Sequence, residues 1–243
     1  MDVARRIVLV GADSARARGY VSALAAAGHT HRLRVTSYGP VQPERAPTPL
    51  EGHSHAGLYY PELSVPLKAL CESHAVPFEH VDAPSINAQP VLDQLITDDA
   101  DLAVFAGLPG EIVRAATLRA APRMLHLHPG KLPEQRGSTT LFYSVLEQVP
   151  TTVSGIILDE EIDAGPVVAE RQFSRPPPGI DLDYLFDTAI RAATLVDIIS
   201  SFARHGSLRL RGKQDVPASE EHLLYFVIHP VLKHLALLAK DRT

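Results

Sequence analysis

The sequence predicts an α/β domain: a mostly parallel β-sheet with helices on both faces, followed by a short helical extension at the carboxyl end. Two observations carry this. Short apolar runs alternate with amphipathic ones along most of the chain, the rhythm of strand–helix–strand crossovers. The runs Arg6–Gly11, Leu102–Ala106 and Met124–Leu127 are apolar at nearly every position rather than every second one, as expected of strands buried on two faces. A length of 243 residues can bury a substantial core and lies near the upper limit for one domain. The expected division is a catalytic domain over residues 1–205 and an extension over 206–243 that packs on the domain or on a partner subunit.

Taken in order, Arg6–Gly11 is the first strand. A helix follows over Ser14–Ala27, with Ser14 as N-cap and Gly28 at its end. Arg32–Thr36 is the second strand. Ser37–Pro61 carries Pro40, Pro43, Pro47, Pro49 and Pro61 and reads as a long loop, of a length that usually serves function. Alternation resumes with a helix over Val65–His74, a strand over Val76–Val81 and a helix over Pro90–Ile96. The strand Leu102–Ala106 closes on Gly107-Leu-Pro-Gly110, a helix runs from there to Ala116, and Met124–Leu127 is the next strand. A helix is expected over Ser138–Leu146, then an antiparallel pair, Val153–Leu158 with Val167–Phe173. After the Pro-rich break Arg175–Gly179 comes a long amphipathic helix, Leu182–Phe202. The tail ends in an apolar segment, Leu223–Leu238, interrupted by Pro230. Within it, Tyr225–His234 reads as a docking helix with exposed basic tips, or as a piece that closes a pocket or makes a dimer contact.

Composition excludes several classes. A formal charge of −5 gives no general attraction to nucleic acid or anionic membrane. A single cysteine, Cys71, permits no internal disulfide, fits a reducing compartment, and sits in an amphipathic helix as a half-buried thiol. Met1–Arg6 lacks the form of a signal peptide, and no apolar run is long enough to span a bilayer. The expectation is a cytoplasmic protein that binds a small-molecule amine, neither nucleic acid nor membrane, with a homodimer as a possible assembly.

The segment His126-Leu-His128-Pro-Gly-Lys-Leu-Pro-Glu-Gln-Arg136-Gly137 holds the chemistry, together with Asp163-Ala-Gly-Pro166. Residues two apart on a strand share a side, so His126 and His128 face one cavity while Leu125 and Leu127 pack the other way. Pro129 takes the chain out of the sheet, at the carboxyl edge where reactive groups of such sheets gather. Asp163, at a tight turn, is placed to orient an imidazole and hold it charged. An imidazolium that stabilises an oxyanion, beside a carboxylate that takes a proton, suits acyl transfer. The first turn after Arg136, with Ser138 and Thr139, is a candidate seat for an anionic or carbonyl group of a substrate. His-x-His is also a metal spacing, but zinc requires three or four ligands and the further imidazoles of His53-Ser-His55 lie on the long loop, so no metal is expected.

These motifs resemble those of the folate-dependent formyltransferase family, whose pattern is Asn-x-His-Pro-(Ser/Gly)-x-Leu-Pro, often Arg-Gly, then Asp-(Ala/Gly/Thr)-Gly-Pro. The resemblance implies a Rossmann-like fold and a catalytic trio at His126 (in place of Asn), His128 and Asp163. It implies 10-formyltetrahydrofolate as formyl donor. Its pteridine would be held by backbone groups of Leu108, Gly110 and Ile112 on one wall and of Leu158, Asp159, Glu160 and Glu161 on the other. Arg136, Ser138 and Thr139 would touch the acceptor. Three departures shape the expectation. His126 can carry a charge that Asn cannot, so two facing imidazoles titrate as a coupled pair. Gly11-Ala-Asp-Ser14 lacks a glycine-rich phosphate cradle, which argues against glycinamide ribonucleotide. Too little chain follows the last helix of the domain for a tRNA-holding barrel. The reading is therefore transfer of a formyl group to a primary amine of a small metabolite. The alternatives are hydrolysis of 10-formyltetrahydrofolate or a non-catalytic relative that binds the ligand.

Overall fold

The computed structural model describes residues 5–211 and 224–241. Among them a seven-stranded sheet runs in the order β10-β9-β7-β6-β1-β2-β5. Its strands are β1 (Ile7–Ala12), β2 (Leu33–Tyr38), β5 (Phe78–Val81), β6 (Leu102–Ala106), β7 (Met124–His128), β9 (Thr151–Ile157) and β10 (Val167–Phe173). The five strands β5, β2, β1, β6 and β7 are mutually parallel. β9 is antiparallel to both β7 and β10, as the tight turn between the last two strands predicts.

The helices are α1 (Ala15–Ala26), α2 (Leu67–Ser73), α3 (Gln89–Asp98), α4 (Ala115–Ala120), α5 (Thr140–Leu146), α6 (Asp187–His205) and α7 (Pro230–Lys240). One buried cluster joins Leu9, Val35, Leu125, Leu127 and Val153 of the sheet to α1, α2 and α6. On the opposite face Val8, Val10, Ala103, Phe105 and Met124 meet Val91 and Leu95 of α3. Alternate residues of each strand thus feed opposite cores, which is why these strands are apolar throughout. Because β1 leads outward to β2 while β6 lies on its other flank, the chain direction reverses between them. Ligands of open α/β sheets bind at such a point, beyond the carboxyl ends of the strands.

Several expectations are refined. Ser14 caps α1 through the amide of Ala17, and Gly28 takes a positive φ of 77°. The segment 37–61 is not structureless: β3 (His53–His55) and β4 (Leu58–Tyr60) form a small antiparallel hairpin, with Tyr60 buried. Pro-rich composition hid it, because three-residue strands leave no period to read. No helix follows Gly110 directly; α4 begins only at Ala115, since Glu111 turns inward to bind backbone amides. Cys71 is fully rather than half buried, and burial pushes its thiol pKa up to about 12.

The tail docks beside the candidate site. β11 (Leu224–Tyr225) pairs in parallel with β8 (Arg136–Gly137), and the Tyr225 ring lies 4.6 Å from that of Tyr143 on α5. Pro230 starts α7 rather than interrupting it, at the helix position where a missing N–H costs nothing. Two of its lysines are engaged. Lys233 pairs with Asp183, and Lys240 donates to the Ile180 carbonyl at 2.7 Å.

Candidate active site

β7 presents His126 and His128 to one side, as the two-residue period requires. His128 is almost fully buried. Its Nε2 donates to the carbonyl of Gln135 at 2.5 Å, and its Nδ1 lies 3.4 Å from Oδ2 of Asp163. A carbonyl only accepts, so Nε2 carries the proton and Nδ1 is the nitrogen that faces the acid. Asp163 has a φ of 52°, and its Oδ2 also accepts the amide of Gly137 at 2.9 Å. One ligand atom from each of His126, His128 and Asp163 lies within 4.8 Å of the others. The predicted trio is therefore brought together.

The chain around the trio explains why it holds. After Pro129 the loop folds back so that Gln135 sits under His128. Gln135 accepts the Lys131 amide and donates to Ser144, Thr140 donates to the Pro129 carbonyl at 2.6 Å, and Ser154 to that of Gly130 at 2.7 Å. Gly130 leaves room for this: a Cβ there would lie 2.6 Å from His128 Nε2 and 2.7 Å from Gln135 O. Arg136 binds the other half of the site. Its guanidinium donates to the Ile162 carbonyl and to Glu161, pinning the turn that carries Asp163.

Burial dominates the electrostatics. His126 is driven well below the ordinary histidine pKa, first by desolvation and then by the guanidiniums of Arg191 and Arg16 and by His128. It is neutral, and its Nδ1 is buried with no hydrogen-bond partner among the described residues. Burial also lowers His128, while Asp163 and the Gln135 carbonyl pull the other way. Arg191, on α6, donates to the carbonyl of Leu127, between the two histidines, and pairs with Asp187 at 2.8 Å. Arg16 keeps a buried Nε without a partner among the described residues, and burial lowers its pKa.

The other predicted residues have definite surroundings. Glu111 accepts Tyr38 at 2.5 Å, Ile86 N at 2.8 Å and Leu108 N at 3.0 Å, so the Leu108 amide is already used. Gly110 has a positive φ of 76°, and Ile112 is exposed, its carbonyl accepting Asn87. Leu158 donates to Met124 O at the start of β7, Asp159 accepts the Glu160 amide, and Glu160 and Glu161 pair with Arg119 and Arg136. The two expected pteridine walls thus begin near opposite ends of β7. Ser138 N donates to Tyr225 O, and the Thr139 hydroxyl binds the Phe226 carbonyl and the Ile228 amide, so both hold the tail. A cleft of about 330 Å³ opens at the reversal point between β1 and β6, lined by Asp13, Gln42, Arg45, Leu108, Pro109 and Tyr184 among others. It borders the first wall but contains none of the trio. Arg45 stacks over Tyr184 at 3.7 Å. Sequence reading missed Gln135, Arg191 and Arg16; only Glu111, an acid directly after a Gly-Leu-Pro-Gly turn, left a usable signal.

A Rossmann-like sheet carrying His-x-His-Pro-Gly at the end of β7, with Asp-Ala-Gly-Pro folded against it, defines the class: a domain of the formyltransferase fold. Over 224 residues, 90% of this chain, the sequence is 30% identical to methionyl-tRNA formyltransferase of Chloroflexus aggregans, and it spans 66% of that relative's length. Glycinamide ribonucleotide transformylase 1 of Symbiobacterium toebii superposes with a TM-score of 0.59 at 20% identity, covering 86% of this chain and 92% of that one. A sugar 3N-formyltransferase solved in the presence of dTDP and 5-N-formyl-THF gives 0.56 at 10% identity, covering 98% and 79%. No family model matches the chain. The chain belongs to the formyltransferase family. No helix among the described residues is long and apolar enough to cross a membrane.

Proposed function

We infer that the protein transfers a formyl group from 10-formyltetrahydrofolate to a primary amine of a small metabolite. The observation that carries this is the His128–Asp163 contact at 3.4 Å with His126 beside it, at the carboxyl end of β7 in a chain of this family. The amine nitrogen forms a bond to the formyl carbon, and the bond from that carbon to the folate nitrogen breaks. The amine loses a proton and the folate nitrogen gains one. Since Gln135 occupies His128 Nε2, direct donation to the oxyanion falls to the partly exposed His126. His128 acts through the charge it gains when Asp163 shares a proton with it. The donor assignment draws on the family, including the relative solved with 5-N-formyl-THF. A ligand touching both expected walls would lie along β6 and β7, across Phe105 and His126, whose rings are 6.1 Å apart.

For the acceptor, the cleft at the sheet's reversal point has the size of a small-molecule pocket, and the net charge of −5 does not favour a polyanion. The test incubates purified protein with 10-formyltetrahydrofolate and a panel of small primary amines, with methionyl-tRNA as a further arm. Formylated small amine supports the reading. Formate released equally fast without any amine would make the protein a hydrolase, and product on tRNA alone would overturn the small-metabolite assignment.

A further inference from the structure

We propose that His126, His128 and Asp163 form a binding site for a divalent transition-metal ion of the zinc class. This departs from the sequence-based expectation of no metal, because the fold brings Asp163 beside the two histidines. His128 Nδ1 and Asp163 Oδ2 are 3.4 Å apart, about the ligand-to-ligand edge of a tetrahedral ion with bonds of ~2.0–2.1 Å. The nitrogen opposite is fixed by donation to the Gln135 carbonyl, the arrangement that orients metal-binding histidines and raises their basicity. With its proton on Nε2, a neutral His128 points a lone pair at a carboxylate, and a cation between them, a proton or a metal, relieves that repulsion.

His126 contributes the third ligand. A ligand atom of its ring lies within 4.8 Å of the other two, and its Nδ1 is buried without a partner among the described residues. A ring nitrogen ligates through its lone pair, so the unprotonated imidazole is the form that binds. Two imidazoles and one carboxylate leave a fourth position for water or a substrate oxygen. Arg16 and Arg191 oppose a dication, so affinity depends on all three ligands acting together. An ion here takes the lone pair and the carboxylate that proton handling needs. Metal occupancy therefore blocks formyl transfer; that consequence rests on the function proposed above, whereas binding itself does not.

Chelator-treated protein is titrated with Zn²⁺ by calorimetry, and with Co²⁺ by visible absorption. The expected result is one ion per chain, with binding weakened by at least about tenfold in both His126→Asn and Asp163→Asn. A His53→Asn/His55→Asn control, altering the exposed hairpin pair, leaves it unchanged. Circular dichroism checks that each variant is folded, and either ligand variant alone suffices if the other fails. Absence of saturable binding, binding weakened less than tenfold in a folded ligand variant, or loss in the hairpin control would overturn the site. Saturable binding without formylation of any amine would leave the site standing and remove the proposed activity instead.

Discussion

At the scale of single residues, the trio depends on neighbouring groups that hold it in place. His126, His128 and Asp163 were legible in the sequence because a strand's period of two and a Gly-Pro turn are local rules. Gln135 was not, since the path of a loop that returns over its own strand is set by tertiary hydrogen bonds. Two variants separate charge from placement. Asp163→Asn retains an oxygen to accept the Gly137 amide but cannot take a proton. We expect kcat to fall by ~10²–10⁴-fold, with little change in the midpoint of thermal unfolding. Gly130→Ala forces a methyl against His128 Nε2 and Gln135 O. It is expected to cost ~1–3 kcal/mol of stability by overpacking and also to lower kcat; a thermal midpoint equal to the parent's would refute that packing argument.

At the scale of elements, the strands and long helices were readable because burial on two faces, capping and amphipathic period leave local marks. The hairpin of β3 and β4, the late start of α4 and the pairing of β11 with β8 left none. The last brings Tyr225 beside Gly137, nearly ninety residues away along the chain. A Cβ on Gly137 would sit 2.2 Å from the Tyr225 carbonyl, at a φ of 104°. Gly137→Ala is thus expected to release the tail from α5, read as faster proteolysis near residue 224 and lower activity from a displaced Asp163. The joint between α6 and β7 is as specific. Arg191 and Asp187 are mostly buried, and Arg191 also holds the Leu127 carbonyl. Arg191→Met strands an acid and a carbonyl, with an expected loss of ~3–5 kcal/mol, on the order of 10 °C in a chain of this size. Adding Asp187→Leu should recover much of it; no recovery would mean that packing, not the ion pair, sets the cost.

At the scale of the whole molecule, the site leaves a signature in stability against pH. Folding buries His126 among Arg191, Arg16 and His128, all of which disfavour its protonation, so its folded pKa lies well below the ordinary value. In the unfolded chain the ring titrates near ~6.5. Between those two values the unfolded state binds a proton that the folded state refuses, and stability falls as pH drops. The contribution is fully present above ~6.5 and is lost progressively on acidification, with a slope of at most ~1.4 kcal/mol per pH unit for this one group. In a chain of this length that is ~3–5 °C per unit. His128 is lowered by burial too, but Asp163 opposes the shift, so His126 dominates. His126→Asn removes the group, and its thermal midpoint should fall less steeply than the parent's between pH 7 and 5. Parallel curves for the two proteins would show that a proton reaches His126 in the folded state, and with it that the neutral ring assumed for both oxyanion donation and metal ligation is not the resting form.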